Sequence, residues 1–225
     1  MTSEQQGKVQ VTSRPSDNPV KRGRSGNLIV VTGPSGVGKG TVTSQLLEQV
    51  PNLLKSVSAT TRGKRPNEVE GVDYFFKTPE EFYNMVEAGL FLEWAEFAGN
   101  HYGTPRAWVF EQLKKGIDVI LEIEVLGAKQ IKESCPQSTL IFLSPPSFEE
   151  LKSRLKNRAT EDPMKMTLRL MKARQELRAL HEQHLFHYEV VNDNIEEAVN
   201  NLAHIVYAER CRIRENEPNE HDKNS

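Results

Sequence analysis

The apolar positions of this chain fall into short blocks that alternate between two periods. Leu28-Ile29-Val30-Val31 is a continuous apolar run of strand length, and Val42, Leu46, Leu47 and Val50 follow at helical spacing until Pro51-Asn52 breaks the pattern. Leu54 to Ser58 reads as a second short strand, and Asp73-Tyr74-Phe75-Phe76 as a β-prone patch. Pro79 to Gly89 predicts a short helix with Phe82 and Val86 as its apolar positions, and Pro105 to Lys115 another with proline in its first turn. Ile117, Val119, Ile120, Leu121 and Ile123 predict a strand over Ile117 to Glu124 that is buried on both faces. Thr139 to Leu143 repeats that pattern, and Pro145-Pro146 closes it. Ser147 is placed to cap a helix with Glu149 and Glu150 in its first turn, continued by Leu151 to Arg158. After a break at Ala159 to Pro163, Leu170, Ala173, Leu177 and Leu180 predict a long helix over Met164 to His184. Tyr188 to Asn192 reads as a last strand, and Ile195, Ala198, Val199, Leu202, Ile205 and Val206 mark one face of a last helix. Continuously apolar strands alternating with helices predict an α/β fold, a parallel sheet flanked by helices.

Between the first strand and the first helix lies Gly33-Pro34-Ser35-Gly36-Val37-Gly38-Lys39-Gly40-Thr41. Strand, glycine-rich turn and helix in that order are the setting of a phosphate-binding loop, or P-loop. Gly33, Gly36 and Gly38 permit a tight turn that points backbone N–H groups inward. The helix then presents its positive end to an anion, and Lys39 reaches the outer phosphates as a point charge. The pattern usually ends Lys-[Ser/Thr]; here Gly40 holds the last position and the hydroxyl comes one residue later, at Thr41.

Other polar clusters sit at the ends of predicted strands. The loop from Ala59 to Pro66 gathers hydroxyls and cations just past a strand, the edge at which open α/β sheets bind ligands. The guanidinium forks of Arg62 and Arg65 suit phosphate oxygens. Gly99 to Pro105 mixes polar side chains with aromatics, as a small-molecule pocket does. Glu122 and Glu124 point to one side at the tip of their strand. Two carboxylates there are costly without partners, which a magnesium ion, the Lys39 ammonium or a bound base would supply. Arg154, Arg158, Arg169 and Arg174 read either as a solvated basic face or as a mobile lid that closes arginines on polyphosphate. His181, His184 and His187 recur every three residues, which leaves zinc ligation as a minor alternative.

Composition sets outer bounds. The 225 residues suit one α/β domain with insertions, and a formal charge of −2 gives no general pull toward nucleic acid. No apolar run of about 18 residues predicts a membrane span, and the polar start lacks the apolar core of a secretory signal. Cys135 and Cys211 show no framework spacing, so a reduced cytoplasm is the expected setting. Residues 1–26 and 213–225 read as disordered tails. Lys21, Arg22 and Arg24 leave a weak possibility of contact with RNA or an acidic partner.

Several separate motifs occur together. They are Ser56-Val57-Ser58-Ala59-Thr60-Thr61-Arg62-x-x-Arg65-x-x-Glu68-x-x-Gly71-x-x-Tyr74-x-Phe76, Phe91-Leu92-Glu93-Trp94-Ala95, Gly99-Asn100-His101-Tyr102-Gly103-Thr104, Arg154-Leu155-x-x-Arg158-x-Thr160-Glu161 and Val190-Val191-Asn192-Asp193. In this order, from about Leu28 to Arg210, the chain resembles the guanylate kinases. The resemblance implies a P-loop kinase fold at 27–212: a core of 27–57, 106–152 and 174–212, a GMP-binding arm at 58–105 and an arginine-rich lid at 153–173. It implies an enzyme that transfers the γ-phosphoryl group of Mg·ATP to GMP or dGMP, in purine nucleotide metabolism and GMP recycling.

By position, the resemblance gives catalytic roles to Lys39, Arg62, Arg158 and Arg169. ATP would lie on Gly33, Pro34, Ser35, Gly36, Val37, Gly38, Lys39, Gly40 and Thr41, with Asn192 near the adenine. Arg62, Arg65, Tyr74 and Tyr102 would hold the phosphate of GMP; Ser58, Glu93, Thr104 and Glu124 would read guanine; Thr41 and Glu122 would attend Mg2+. Guanine offers N1–H and an exocyclic amine, which carboxylates accept, whereas adenine has no N1–H. Three departures from the family pattern stand out. Asp-x-Asp-x-x-Gly is Glu122-Ile123-Glu124-Val125-Leu126-Gly127 here, with both acids one methylene longer; His101 replaces an aromatic that is often tyrosine; Ala159 replaces the glycine after Arg158. The alternatives are a kinase of another monophosphate such as AMP, and a non-catalytic binding module of the same fold. Lys39 and the intact glycine loop argue against the module.

Overall fold

The computed structural model describes residues 24–97, 99–157, 163–182 and 184–213. At its centre is β1 (Leu28–Thr32), buried at every position. It pairs in parallel with β7 (Asp118–Glu122) on one side and β8 (Thr139–Ser144) on the other. β2 (Leu53–Lys55) lies outside β7 and β9 (Tyr188–Val191) outside β8, giving a parallel sheet of order β2-β7-β1-β8-β9. Alternate residues of β1 serve opposite faces. Ile29 and Val31 join Ile120, Ile141 and Leu143 against α1 (Lys39–Gln49) and α7 (Ile195–Cys211). Leu28 and Val30 join Val119, Leu121 and Phe142 against α3 (Arg106–Lys114) and α4 (Val125–Ser134). Helices on both faces account for strands with no polar side, as the sequence predicts.

A second sheet, of order β4-β3-β6-β5, is built from β3 (Ser58–Thr60), β4 (Tyr74–Phe76), β5 (Phe91–Phe97) and β6 (Asn100–Pro105). Behind it packs α2 (Pro79–Glu87), started by a capping box in which Thr78 and Glu81 satisfy each other's backbone N–H groups. Phe82 of α2 is fully buried and stacks on Phe91 with ring centroids 4.7 Å apart. The remaining helices, α5 (Phe148–Asn157) and α6 (Pro163–Glu182), follow β8, and α6 brings its buried Ala173 and Glu176 to the core and the glycine loop.

Three segments differ from the sequence reading. The strand expected at Leu54 to Ser58 is divided: Leu53–Lys55 pairs with β7, and Ser58–Thr60 pairs with Tyr74–Phe76 and β6 in the other sheet. Ser56 is the crossing point, its N–H still donating to Ile120 O at 3.1 Å. The β5–β6 hairpin carries too many polar residues for a two-period apolar signal, because one side of it faces a cavity. α4 has only a weak sequence signal, because its buried positions, Val125, Gly127, Ala128 and Ile131, include glycine and alanine and give a faint apolar stripe.

Residues 24–26, at the end of the expected tail, are tied to the fold. Asp118, 1% exposed at the start of β7, accepts from Arg24 at 2.6 Å, from Arg210 of α7 at 2.7 Å and from the Asn27 N–H at 2.6 Å. One carboxylate thus joins the entering chain, the central sheet and the last helix. The expected tails at 1–23 and 214–225, with Lys21 and Arg22, lie outside the described residues. Removing a buried carboxylate from under two cations leaves them uncompensated. Asp118→Ala is therefore expected to lower the unfolding free energy by about 2–4 kcal/mol in urea titrations, with little change in substrate KM.

Candidate active site

β1 ends in the glycine loop, and three glycines there are fixed by space and backbone. Gly33 (φ 150°) lies where a Cβ would stand 2.2 Å from the Leu143 carbonyl oxygen, and Gly38 (φ 99°) where it would stand 2.7 Å from Asn192 Nδ2. Gly36 (φ 86°) packs on Leu155. Such φ values are strained for any residue with a Cβ. Val37, fully buried, anchors the loop, and its N–H donates to Pro34 O at 3.2 Å. Lys39 donates from Nζ to the carbonyls of Gly33 and Pro34. Gly40 lies in the first turn of α1, and a Cβ there would meet nothing within 4 Å. The Gly40 departure is therefore not enforced by crowding.

The loop opens on a cavity of about 260 Å³ between the two sheets. Gly33, Ser35 and Lys39 line it from the loop, Ser58, Tyr74, Glu93 and Tyr102 from the second sheet, and Glu122 and Glu124 from the end of β7. Residues read separately from the sequence are thus brought to one place. Arg62 stands at the rim, its guanidinium 5.4 Å from the Tyr74 ring centroid and 2.6 Å from Glu68. Arg65 is exposed, and its N–H donates to Glu68 at 2.8 Å. Thr104 is fully buried and donates to Glu93 Oε1 at 2.6 Å, so it meets the cavity through Glu93.

Burial dominates the electrostatics. It pushes the Glu93 carboxyl up to about 7, against the lowering effect of the Thr104 hydrogen bond. Burial likewise pushes Glu176 up to about 7, partly offset by Lys39. The Lys39 ammonium is lowered by burial, while Glu176, Glu124 and Glu122 oppose the shift. The two acids at the end of β7 have partners that the sequence reading did not identify: Glu122 is held by Lys55 at 2.7 Å and Glu124 by Lys172 at 2.6 Å. Glu122 Oε1 is buried without a hydrogen-bond partner.

A separate cleft lies on the outer side of the loop, lined by Gly36, Val37, Gly38, Thr41, Arg154, Asn192, Asp193 and Ile195. Asn192, 3% exposed, donates from Nδ2 to Val37 O at 2.7 Å and so braces the loop. Thr41 opens on this cleft and Glu122 on the central cavity, so the two expected metal ligands line different spaces. Arg169 is half-buried on α6 and lines neither space. Arg158 lies outside the described residues, as do Ala159 to Glu161. Of the three histidines, His184 is exposed, and His187 accepts the Leu140 N–H at 2.9 Å while its other ring nitrogen contacts Lys132; among the described residues no group of three or more histidines, cysteines or acids is placed to hold a metal ion. No described helix is long and apolar enough to cross a membrane.

Sequence reasoning missed four residues of the site. Lys172 and Glu176 sit one helical turn apart on α6 and reach the cavity together. Their spacing was visible, but nothing in it distinguishes them from a solvated face. Glu68 holds the Arg62 guanidinium and the Arg65 N–H, and Lys55, an ordinary strand residue in the sequence, holds Glu122.

A glycine loop with its lysine, placed at the carboxyl edge of a parallel sheet and facing acids and tyrosines across one cavity, defines a P-loop phosphotransferase. A family model described as guanylate kinase matches residues 25–209. The guanylate kinase of Synechococcus sp. (strain JA-3-3Ab) is 52% identical over 189 residues, 84% of this chain and 84% of that protein. That of Desulfitobacterium hafniense (strain Y51) is 49% identical over 84% of this chain and 93% of its own length. The crystal structure of guanylate kinase from Anaplasma phagocytophilum superposes with a TM-score of 0.70 at 35% identity, covering 84% of this chain and 88% of that one. The chain belongs to the guanylate kinase family, a family of nucleoside monophosphate kinases.

The raised acids make stability depend on pH. A carboxyl that titrates near 7 when folded and near 4.5 when unfolded binds its proton more tightly in the folded state. Its contribution is greatest below 4.5 and declines as pH rises through 7. Urea titrations from pH 5 to 8 should therefore show wild type losing stability relative to Glu93→Gln and Glu176→Gln, by on the order of 3 kcal/mol for each acid.

Proposed function

We propose that the central cavity transfers the γ-phosphoryl group of ATP to GMP or dGMP, giving ADP and the guanosine diphosphate. The observation that carries this reading is Glu93, 5% exposed, fixed by Thr104 and facing the same cavity as Lys39 and Glu124. A buried carboxylate beside a phosphate-binding lysine suits a base that offers N–H donors. Guanine does so at N1 and N2; adenine at N1 offers only an acceptor, which would leave the acid unpaired.

Lys39 carries positive charge to the transferring phosphoryl group, and the loop N–H groups orient the phosphates of ATP. Arg62, backed by Glu68 and stacked on Tyr74, holds the phosphate of GMP with Arg65, Tyr74 and Tyr102. Ser58, Glu93, Thr104 and Glu124 read the base. The cleft beside Thr41 and Asn192 takes the nucleoside end of ATP. Arg158 and Arg169 clamp the phosphoryl group from the lid. No strong general base is needed; the barrier falls through positioning and charge stabilisation. The unpartnered, buried Glu122 Oε1 suits a hard cation, so Glu122 would hold Mg2+, with Thr41 serving the nucleotide's side of the loop. When bound, Mg2+ neutralises charge on the phosphate oxygens. Two cysteines without a disulfide suit a reducing, cytoplasmic setting, and GMP as the acceptor puts the reaction in purine nucleotide metabolism.

Coupled measurement of ADP release with Mg·ATP and each of GMP, dGMP, AMP, CMP and UMP tests the assignment. Turnover with the guanine nucleotides alone is expected, and Lys39→Ala should reduce kcat by about 10³-fold or more. Equal turnover of AMP and GMP would refute the guanine reading. Turnover with no acceptor would favour a binding module. The titration of Glu93 adds a pH limb. Below about 7 the carboxyl is protonated and no longer a full acceptor. The kcat/KM for GMP should therefore fall as pH drops below about 7, and that limb should be absent in Glu93→Gln.

A further inference from the structure

Gly127 is the third residue of α4 and is buried. Its φ is not positive, so its backbone does not require glycine, and glycine is among the weakest helix formers. Space supplies the reason. A Cβ at this position would stand 2.5 Å from Glu93 Oε2, 3.2 Å from its Cδ and 3.3 Å from Ile123 Cδ1. Glu93 cannot easily retreat, because it is 5% exposed and its other oxygen accepts from Thr104 at 2.6 Å. The gap between β5 and α4 is fixed as well. Gln130, one turn further along α4, accepts the Trp94 N–H at 3.1 Å and donates to Trp94 O at 2.7 Å. The bare backbone of Gly127 is therefore the seat of the Glu93 carboxylate.

We propose that Gly127 is a positioning residue for guanine recognition: by lacking a side chain it sets where the Glu93 carboxylate stands in the cavity. The proposal rests on the reading of Glu93 as a guanine acceptor. A methyl group at position 127 would push that carboxylate toward the base and away from Thr104, on the acceptor side of the cavity only. Lys39 and the glycine loop are untouched by the change. Gly127→Ala should thus act on GMP and spare ATP.

The test compares Gly127→Ala, Glu93→Asp, the double variant and Glu93→Gln by KM for GMP and for ATP, with thermal unfolding of each. The expected result is a rise of about tenfold in KM for GMP in Gly127→Ala with KM for ATP unchanged. Aspartate is one methylene shorter and leaves room for the new methyl group. The double variant should therefore bind GMP no worse than Glu93→Asp alone and recover its thermal stability. If Gly127→Ala is too poorly folded to assay, recovery of folding in the double variant is the supporting result. Equal damage in Gly127→Ala and the double variant overturns the proposal, as does an unchanged KM for GMP in Gly127→Ala while Glu93→Gln raises it. An unchanged KM for GMP in Glu93→Gln instead removes the guanine reading itself, and the proposal with it.

Discussion

The Lys39 ammonium stands where burial opposes its charge, and the rest of the cavity is arranged to keep it charged. Two loop carbonyls accept from it, and three acids reach it electrostatically from separate elements: Glu122 at the end of β7, Glu124 before α4 and Glu176 on α6. A cation in a low-dielectric site must be compensated or lose its proton. Those acids cannot all belong to Lys39 alone, and each has a further contact: Lys55 for Glu122, Lys172 for Glu124 and the Ser35 N–H for Glu176. The charges are thus held in position by the protein's own contacts.

That compensation has a consequence for binding. The helix α6 places Lys172 on Glu124 and Glu176 on the loop, one turn apart. A base that takes Glu124 must replace the lysine as its partner, and a phosphate that takes the Ser35 N–H must replace a carboxylate. The net gain for each ligand is the difference between two contacts rather than the strength of one. Arg169 lies on the same helix, about one turn before Lys172 and two before Glu176, so exchange of either contact bears on the element that carries it.

The core was legible because burial on both faces leaves a strong signature. β1, β7 and β8 carry unbroken apolar runs with polar residues only at their ends, and α1 and α7 carry apolar stripes. The glycine loop was legible for another reason, since positive φ at Gly36 and Gly38 can be met cheaply only by glycine. The arm was harder. Its strands face a polar cavity, so Glu93 and Thr104 interrupt the alternation that would announce a strand. Charged partners were hardest of all. Lys55, Glu68, Lys172 and Glu176 are common residue types whose meaning comes from what the fold sets opposite them, as Glu68 opposite Arg62 illustrates. Asp118 is similar: an acid at the buried start of an apolar run, explained only when Arg24 and Arg210 arrive from 94 and 92 residues away.

Two glycines show why a departure from pattern has to be weighed against space. Gly40 and Gly127 both lie in the first turn of a helix, and neither has positive φ. At Gly40 a side chain would meet nothing within 4 Å, so a hydroxyl there or one residue later is sterically free and the variant ending of the loop costs the fold little. At Gly127 the nearest atom is a pinned carboxylate oxygen 2.5 Å away. Helix propensity alone would favour alanine at both positions. At Gly127 the local rule is set aside because the space belongs to Glu93, and such conflicts between local preference and retained residue concentrate where a protein binds its ligands.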